Sequence, residues 1–273
     1  MEQFIMRIAQ LTLIFSCLSF PAVAQESTRI ADERQDPESD ITLLAGTDYV
    51  SGNVNGQDYE TFAASAGIAA QSGRFSFAAS IPYVVTSAPE ELIVSNGGVL
   101  GTPLLSQPST QTRQITREGV GDLVLQGGYS VPLGSVNAFI GGNVKVPTAS
   151  RQKALGTGEL DYGVSGQVSR QFGQVIPFLT ANYTVIGEPE GFDVRNTLSG
   201  SAGSQFVLGS SSSVTLDYGY EQSATQSIEN RHSVGVGLDT GISSDLRLGI
   251  NARAGLTEDA PDARIGVKLG IGF

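Results

Sequence analysis

The stretches LRLGINARAGL (residues 246–256) and ARIGVKLGIGF (residues 263–273) decide the fold. In the first, Leu246, Leu248, Ile250, Ala252, Ala254 and Leu256 alternate with Arg247, Gly249, Asn251, Arg253 and Gly255. In the second, Ile265, Val267, Leu269, Ile271 and Phe273 alternate with Arg264, Gly266, Lys268, Gly270 and Gly272. Successive side chains of a strand point to opposite faces, so each stretch presents one wholly apolar face and one made of glycine and polar or charged groups. A strand of a soluble sandwich alternates too, but buries its apolar face against a second sheet. Glycine and charge on the other face suit a lumen, which leaves the apolar face for lipid.

The same alternation runs back to Ile41. Twelve segments carry it: 41–51, 58–70, 74–86, 119–131, 136–147, 159–171, 175–187, 195–208, 213–222, 231–240, 245–256 and 263–273. Their lengths fit the roughly 9 to 11 residues that cross a bilayer as a tilted strand. The connections sort by length. Gln71 to Gly73, Pro132 to Ser135, Phe172 to Gln174, Gly209 to Ser212 and Gly241 to Ser244 are tight, whereas 52–57, 87–118, 148–158, 188–194, 223–230 and 257–262 read as longer loops. Short periplasmic turns alternating with longer external loops are the asymmetry of an outer-membrane barrel, and an even strand count returns both ends to the periplasm. The expected fold is therefore an all-β, transmembrane antiparallel barrel of about twelve strands, closed so that every backbone group is paired in lipid. No fixed-period repeat points to a propeller or solenoid. Tyr49, Phe62, Phe75, Tyr83, Tyr129, Tyr162, Tyr183, Phe206, Tyr220 and Phe273 fall near segment ends, as interfacial girdles require.

The remaining sequence describes how such a chain reaches its membrane. Arg7 precedes an apolar run from Ile8 to Phe20, followed by Pro21 and the small-residue site Ala22-Val23-Ala24, which reads as a cleaved signal peptide over 1–24. That run is too short to span as a helix, and no later stretch approaches the roughly 20 apolar residues required. Cys17, the only cysteine, lies within the signal, and the bulky Phe15 argues against a lipidation site there. Residues 25–40 carry Glu26, Asp32, Glu33, Asp36, Glu38 and Asp40 against Arg29 and Arg34, and are expected to form a flexible acidic periplasmic arm ahead of a barrel over 41–273. The expected location is the outer membrane of a Gram-negative bacterium. Expected partners are outer-membrane lipid, the barrel assembly machinery, which would read the terminal Phe273, and a small-molecule solute.

Composition removes several function classes. A formal charge of −11 argues against nucleic acid, whose phosphates need clustered Lys and Arg. A mature chain without cysteine, with one histidine and with no DxDxDG-like carboxylate run, points to no cofactor and no dedicated metal site. His232 falls on the lipid-facing parity and Ser233 on the opposite one, so the pair does not make a Ser-His hydrolase; a lipid-modifying enzyme would need another serine near His232.

If the apolar face meets lipid, the opposite positions line the lumen. They include the acids Asp48, Asp122, Asp161, Asp217, Glu221 and Asp239 and the bases Lys145, Arg247, Arg253, Arg264 and Lys268. Acids and bases gathered on different strands would set a transverse field able to orient polar solutes. Cross-strand ion pairs that only brace the wall would use the same residues. The long segment 87–118 contains the apolar patches Leu92-Ile93-Val94 and Val99-Leu100 and is either a constriction or plug of the lumen or a surface loop.

Three short motifs stand apart from the barrel pattern: Gly119-Val120-Gly121-Asp122-Leu123, Lys145-Val146-Pro147-Thr148 and Leu155-Gly156-Thr157-Gly158-Glu159-Leu160-Asp161-Tyr162. Their order and spacing resemble the "MetA-pathway of phenol degradation" family of outer-membrane proteins over roughly residues 119–187, although Ala149 stands where that family usually has glycine. The resemblance implies a transporter, and the family name implies hydrophobic aromatic compounds. Asp122, Lys145 and Asp161 share the lumen parity on three consecutive segments and are expected to form an acid-base-acid cluster, with a solute-binding role or with a register-fixing one. The expected function is an outer-membrane channel or passive transporter for small solutes, not an enzyme. A binding or structural barrel with a plugged lumen is the alternative.

Overall fold

The computed structural model describes residues 39–90, 92–94, 104–106 and 113–273. The expected signal peptide over 1–24, and all of the expected acidic arm but its last two residues, lie outside the described residues. Ser39 and Asp40 already belong to the first strand.

The strands, in chain order, are β1 (Ser39–Val54), β2 (Gln57–Ser72), β3 (Phe75–Pro89), β4 (Leu92–Val94), β5 (Leu104–Ser106), β6 (Gln114–Val120), β7 (Leu123–Leu133), β8 (Val136–Val146), β9 (Asp161–Arg170), β10 (Val175–Val185), β11 (Thr197–Leu208), β12 (Ser212–Glu221), β13 (Arg231–Gly241), β14 (Leu246–Gly255) and β15 (Ala263–Gly272). Short β4 and β5 pair only with each other. The other thirteen form one antiparallel sheet that closes on itself, because β1 pairs with both β2 and β15 while β2 also pairs with β3. Segments β6 and β7 lie end to end against β3, so they are two halves of one strand and the barrel has twelve staves. No helix among the described residues is long and apolar enough to cross a membrane, and the chain crosses with strands instead.

The outer face is apolar over its whole circumference. Ile140 and Val164 are 63% exposed, Leu179 55% and Leu216 50%, whereas Thr42 and Thr86 on the inner parity are 0% exposed. An apolar surface this large and continuous does not persist in water and needs lipid around it. Aromatics bound it at both ends. Tyr49, Phe62, Tyr83, Tyr162, Tyr183 and Tyr218 circle the loop end, and Phe75, Phe77, Tyr129 and Phe172 circle the turn end.

At the turn end every connection is short: 73–74, 134–135, 171–174, 209–211 and 242–245. Opposite them lie 90–113, 147–160, 186–196, 222–230 and 256–262. One expected loop is absent. Strands β1 and β2 pair along their whole length to Val54 and Gln57, so the connection expected over 52–57 is only Asn55-Gly56. Both residues have positive φ, 53° and 78°, which is the mirror-image turn that an Asn-Gly pair makes and that matches strand twist. A two-residue turn of this kind extends the hairpin above the aromatic belt instead of opening a loop.

The break between β6 and β7 has a local cause. Tyr83 pairs with Val120 and Ser80 with Val124, so the two residues Ile81 and Pro82 face the three residues Gly121, Asp122 and Leu123. This is a one-residue β-bulge. Pro82 has no N–H to give its neighbour, although its carbonyl accepts from Gly121 N at 2.8 Å. The carbonyl of Gly121 turns instead to the Thr148 hydroxyl, which donates at 2.9 Å and itself accepts from Leu123 N at 2.9 Å. One threonine side chain thus supplies both backbone bonds that the bulge leaves open.

Candidate functional site

The lumen divides into three regions, each built by inward parity on particular strands. In the first, the bulge swings Asp122 inward, where its Oδ1 accepts from Ala149 N at 3.0 Å. Lys145 Nζ lies 2.7 Å from Asp161 Oδ2 and 3.6 Å from Asp122 Oδ2, and donates to Thr157 Oγ1 at 3.1 Å. Asp161 Oδ1 accepts from Gly187 N at 3.0 Å. Connection 147–160 folds over this group: Leu155 is buried, and a Cβ on Gly156 would sit 2.8 Å from both Ala149 Cβ and Asp122 Oδ2. The three sequence motifs therefore meet at one place. Asp122, Lys145 and Asp161 are all nearly inaccessible to solvent, at 1%, 2% and 5%.

The second region lies along β12 to β15 and β1. Arg253 Nη2 is 2.5 Å from Asp217 Oδ2, and its Nη1 donates to Ser233 Oγ at 2.8 Å. Arg264 reaches Asp48 at 3.2 Å, and Arg231 pairs with Glu221. Nearer the turn end, Asp239 interacts electrostatically with Arg247 and Lys268. Each of these pairs joins neighbouring or next-neighbouring strands of the wall. Glycines make this possible: a Cβ on Gly235 would sit 2.6 Å from Asp217 Oδ1 and 2.8 Å from Arg253 Nη2, and one on Gly219 would sit 2.7 Å from Arg253 Nη1. The missing side chains let a long arginine lie flat against the barrel wall. A cavity faces this patch, lined by Val50, Glu221, Arg231, Ser233, Arg253 and Arg264 with Ala260 and Pro261.

The third region is apolar. At the loop end, Val50, Val54, Tyr59, Ala88, Leu92 and Ile228 form one buried cluster, and Ile93 packs with Phe192 and Val194 against Ile186 and Ala224. Chain following β3 thus crosses the mouth to meet the connections 186–196 and 222–230 on the far side. Arg117 holds it there, donating to the carbonyls of Leu92 at 2.7 Å, Pro89 at 3.3 Å and Glu90 at 3.4 Å. Within the segment 87–118, Leu92 and Ile93 pack inward across the mouth. Asp259 ties other external segments together by accepting from Glu229 N at 2.7 Å and Asn55 N at 3.3 Å.

The inward apolar residues are what alternation alone did not reveal. Besides the mouth cluster, Phe139 and Phe178 point inward: a Cβ on Gly128 would sit 2.0 Å from the Phe139 ring, and one on Gly203 2.8 Å from that of Phe178. A glycine facing a phenylalanine across neighbouring strands is the available signal. Arg231 follows from parity, whereas Arg117 lay within a segment read as loop. His232 faces outward, beside the rings of Tyr218 and Tyr220, while Ser233 faces the lumen.

No protein-family model matches the chain, and no curated protein matches it. Solved structures do. An outer membrane channel of the COG4313 group from Pseudomonas putida F1 aligns with a TM-score of 0.61 at 11% identity, over 91% of this chain and 100% of that one. A NanC porin aligns at 0.52 and 8% identity, over 85% of this chain and 98% of its own. The beta domain of the Bordetella autotransporter BrkA aligns at 0.51 and 11% identity, over 86% and 100%. The chain has the fold of bacterial outer-membrane β-barrels. A channel, a porin and an autotransporter domain share it, so the fold by itself does not assign a task.

Proposed function

We propose that this protein is an outer-membrane channel through which small solutes pass without chemical change. The observation that carries this reading is the charged wall from β12 to β1. Its ion pairs run along the wall over Gly219 and Gly235 and leave a cavity beside them. In a barrel whose interior serves only as a core, side chains from all sides fill the lumen. A wall cleared by glycine and lined with satisfied charge is the arrangement expected where polar groups must pass.

The apolar mouth and the resemblance of the three motifs to the phenol-degradation family favour solutes with a hydrophobic or aromatic body. The same mouth cluster also supports a second reading, a binding or structural barrel closed at its external end by residues such as Leu92 and Ile228. No enzymatic step is part of either reading, since His232 and Ser233 face opposite sides of the wall.

The outer face would be solvated by outer-membrane lipid after signal-directed export. Phe273, 74% exposed and joined to the first strand by its N–H to Ile41 O at 2.9 Å, would present the closing strand to the assembly machinery.

Purified protein in planar bilayers and in liposomes tests the channel. Discrete conductance steps and flux of a neutral solute of sugar size are expected. Absence of both sinks the channel reading and leaves the closed barrel.

A further inference from the structure

We propose that His232 and Tyr220 form a binding site on the outer face of the barrel for a phosphate monoester of an outer-leaflet glycolipid. The proposal goes beyond the channel reading and does not depend on it. His232 lies at the loop end of β13 and is the register partner of Tyr220 on β12. Its backbone is fixed on the other flank, where its N–H donates to Thr257 Oγ1 at 3.1 Å and its carbonyl accepts from Leu256 N at 2.8 Å. The imidazole packs beside two phenol rings, with its centroid 5.2 Å from that of Tyr220 and 5.8 Å from that of Tyr218. Its Nδ1 is hydrogen-bonded to the Tyr218 hydroxyl. None of the three side chains is buried, so a membrane lipid can reach them.

The bond to Tyr218 decides what the imidazole offers. A phenol is the better donor of the two neutral groups, so Tyr218 donates to Nδ1 and the ring proton resides on Nε2. A protonated ring donates from Nε2 as well. Nε2 and the Tyr220 hydroxyl have no partner among the described residues, which leaves two donors on adjacent rings of the outer face. The acids of β11 to β15, Asp217, Glu221 and Asp239, all lie on the inner parity, so no carboxylate of these strands opposes an anion there. The other nearby acids, Glu229, Glu258, Asp259 and Asp262, belong to the flanking connections, and Asp259 is turned to the backbone of Glu229 and Asn55. Acyl chains have no acceptor for such donors, whereas headgroups at the level of the aromatic belt do. Long connections face the outside in barrels of this class. The outer-leaflet glycolipid there, lipid A, carries phosphate monoesters with several acceptor oxygens and roughly two negative charges each.

The test uses the untagged mature protein, delipidated in a neutral detergent, with bound lipid counted by native mass spectrometry. The probes are bisphosphorylated lipid A, the same lipid A after removal of both phosphates, and phosphatidylglycerol. Bisphosphorylated lipid A is expected to bind about tenfold or more tightly than either comparison lipid, the margin of charge-assisted hydrogen bonds to a phosphate. Tyr220→Phe and His232→Phe each remove one donor while keeping an aromatic ring at the belt, and each is expected to cut that preference to less than half. His232 is the only histidine of the chain, so carbethoxylation of the folded, unsubstituted protein blocks the same donor without any change of sequence. It is expected to cut the preference equally, which keeps the test decisive if a variant does not fold. A smaller margin over either comparison lipid overturns the proposal. So does a preference that survives carbethoxylation, or that survives in either variant once folded.

Discussion

Lys145 Nζ lies 2.7 Å from Asp161 Oδ2 on the neighbouring strand, with both side chains closed off from solvent by connection 147–160. A cation in this position is held between Asp161 and Asp122, with Thr157 as a further acceptor. Removing one member of a buried ion pair leaves an uncompensated charge and costs roughly 3–5 kcal/mol. Lys145→Gln is expected to lower the thermal unfolding temperature, read as the temperature at which the compact gel band is lost. Ion selectivity in bilayers should stay unchanged, because the cluster is inaccessible. A changed selectivity with unchanged melting would instead give the cluster a role in the solute path.

Thr148 stitches the bulge opposite Pro82 by donating to Gly121 O and accepting from Leu123 N. Thr148→Val keeps the shape and loses the hydroxyl, leaving two backbone groups without that partner at about 1–3 kcal/mol for each one that stays buried and unpaired. Thr148→Ser should recover most of the stability. Comparing the two by urea unfolding in detergent checks this; equal losses would show that the methyl group, not the hydroxyl, matters.

Gly235 leaves room for the Arg253–Asp217 pair, and a methyl there would meet both partners. Gly235→Ala is expected to push the guanidinium off the wall into the lumen, at about 1–3 kcal/mol for overpacking. Single-channel conductance should fall while the folded barrel persists. An unaltered conductance would mean that the wall charges do not border the conducting path.

Leu92 is 2% exposed within the apolar cluster that crosses the mouth. A carboxylate placed there by Leu92→Asp has no partner in that cluster and should drive the chain after β3 outward. Larger or longer-lived conductance steps are the expected reading. Unchanged steps would show that this cluster does not limit passage.

Ile250 faces outward, 42% exposed, between Leu238 and Val267 near the middle of the apolar belt. An arginine at the bilayer midplane of a barrel costs about 2–4 kcal/mol. Ile250→Arg should therefore lower folding stability in lipid vesicles by an amount of that order. A neutral outcome would argue that this face does not meet hydrocarbon.

How much of this was legible beforehand follows from the period of a strand. Because side chains alternate strictly, parity alone assigned Asp48, Asp217, Glu221, Arg253 and Arg264 to the inside and Ile250 to the outside. Turn residues such as Asn55-Gly56 are equally local, though their shortness was hidden because β1 and β2 outrun the membrane. The expected loop over 52–57 failed for that reason. Arg117 was invisible as a site residue, and Leu92 stood out only as part of an apolar patch with its disposition open, since what they do depends on where a loop returns.

Alternation, glycine placement and connection lengths determined a twelve-stave barrel, its lining and its sidedness, because each is set within one strand or one turn. Partnership was decided only by closure. Arg264 meets Asp48 because the last strand pairs with the first, a contact 216 positions apart that no local pattern encodes. Likewise Leu92 meets Ile228 only because the curved sheet brings opposite rims within reach of one loop. The sequence names the charges inside; the circumference decides which of them neutralise one another and which face the cavity.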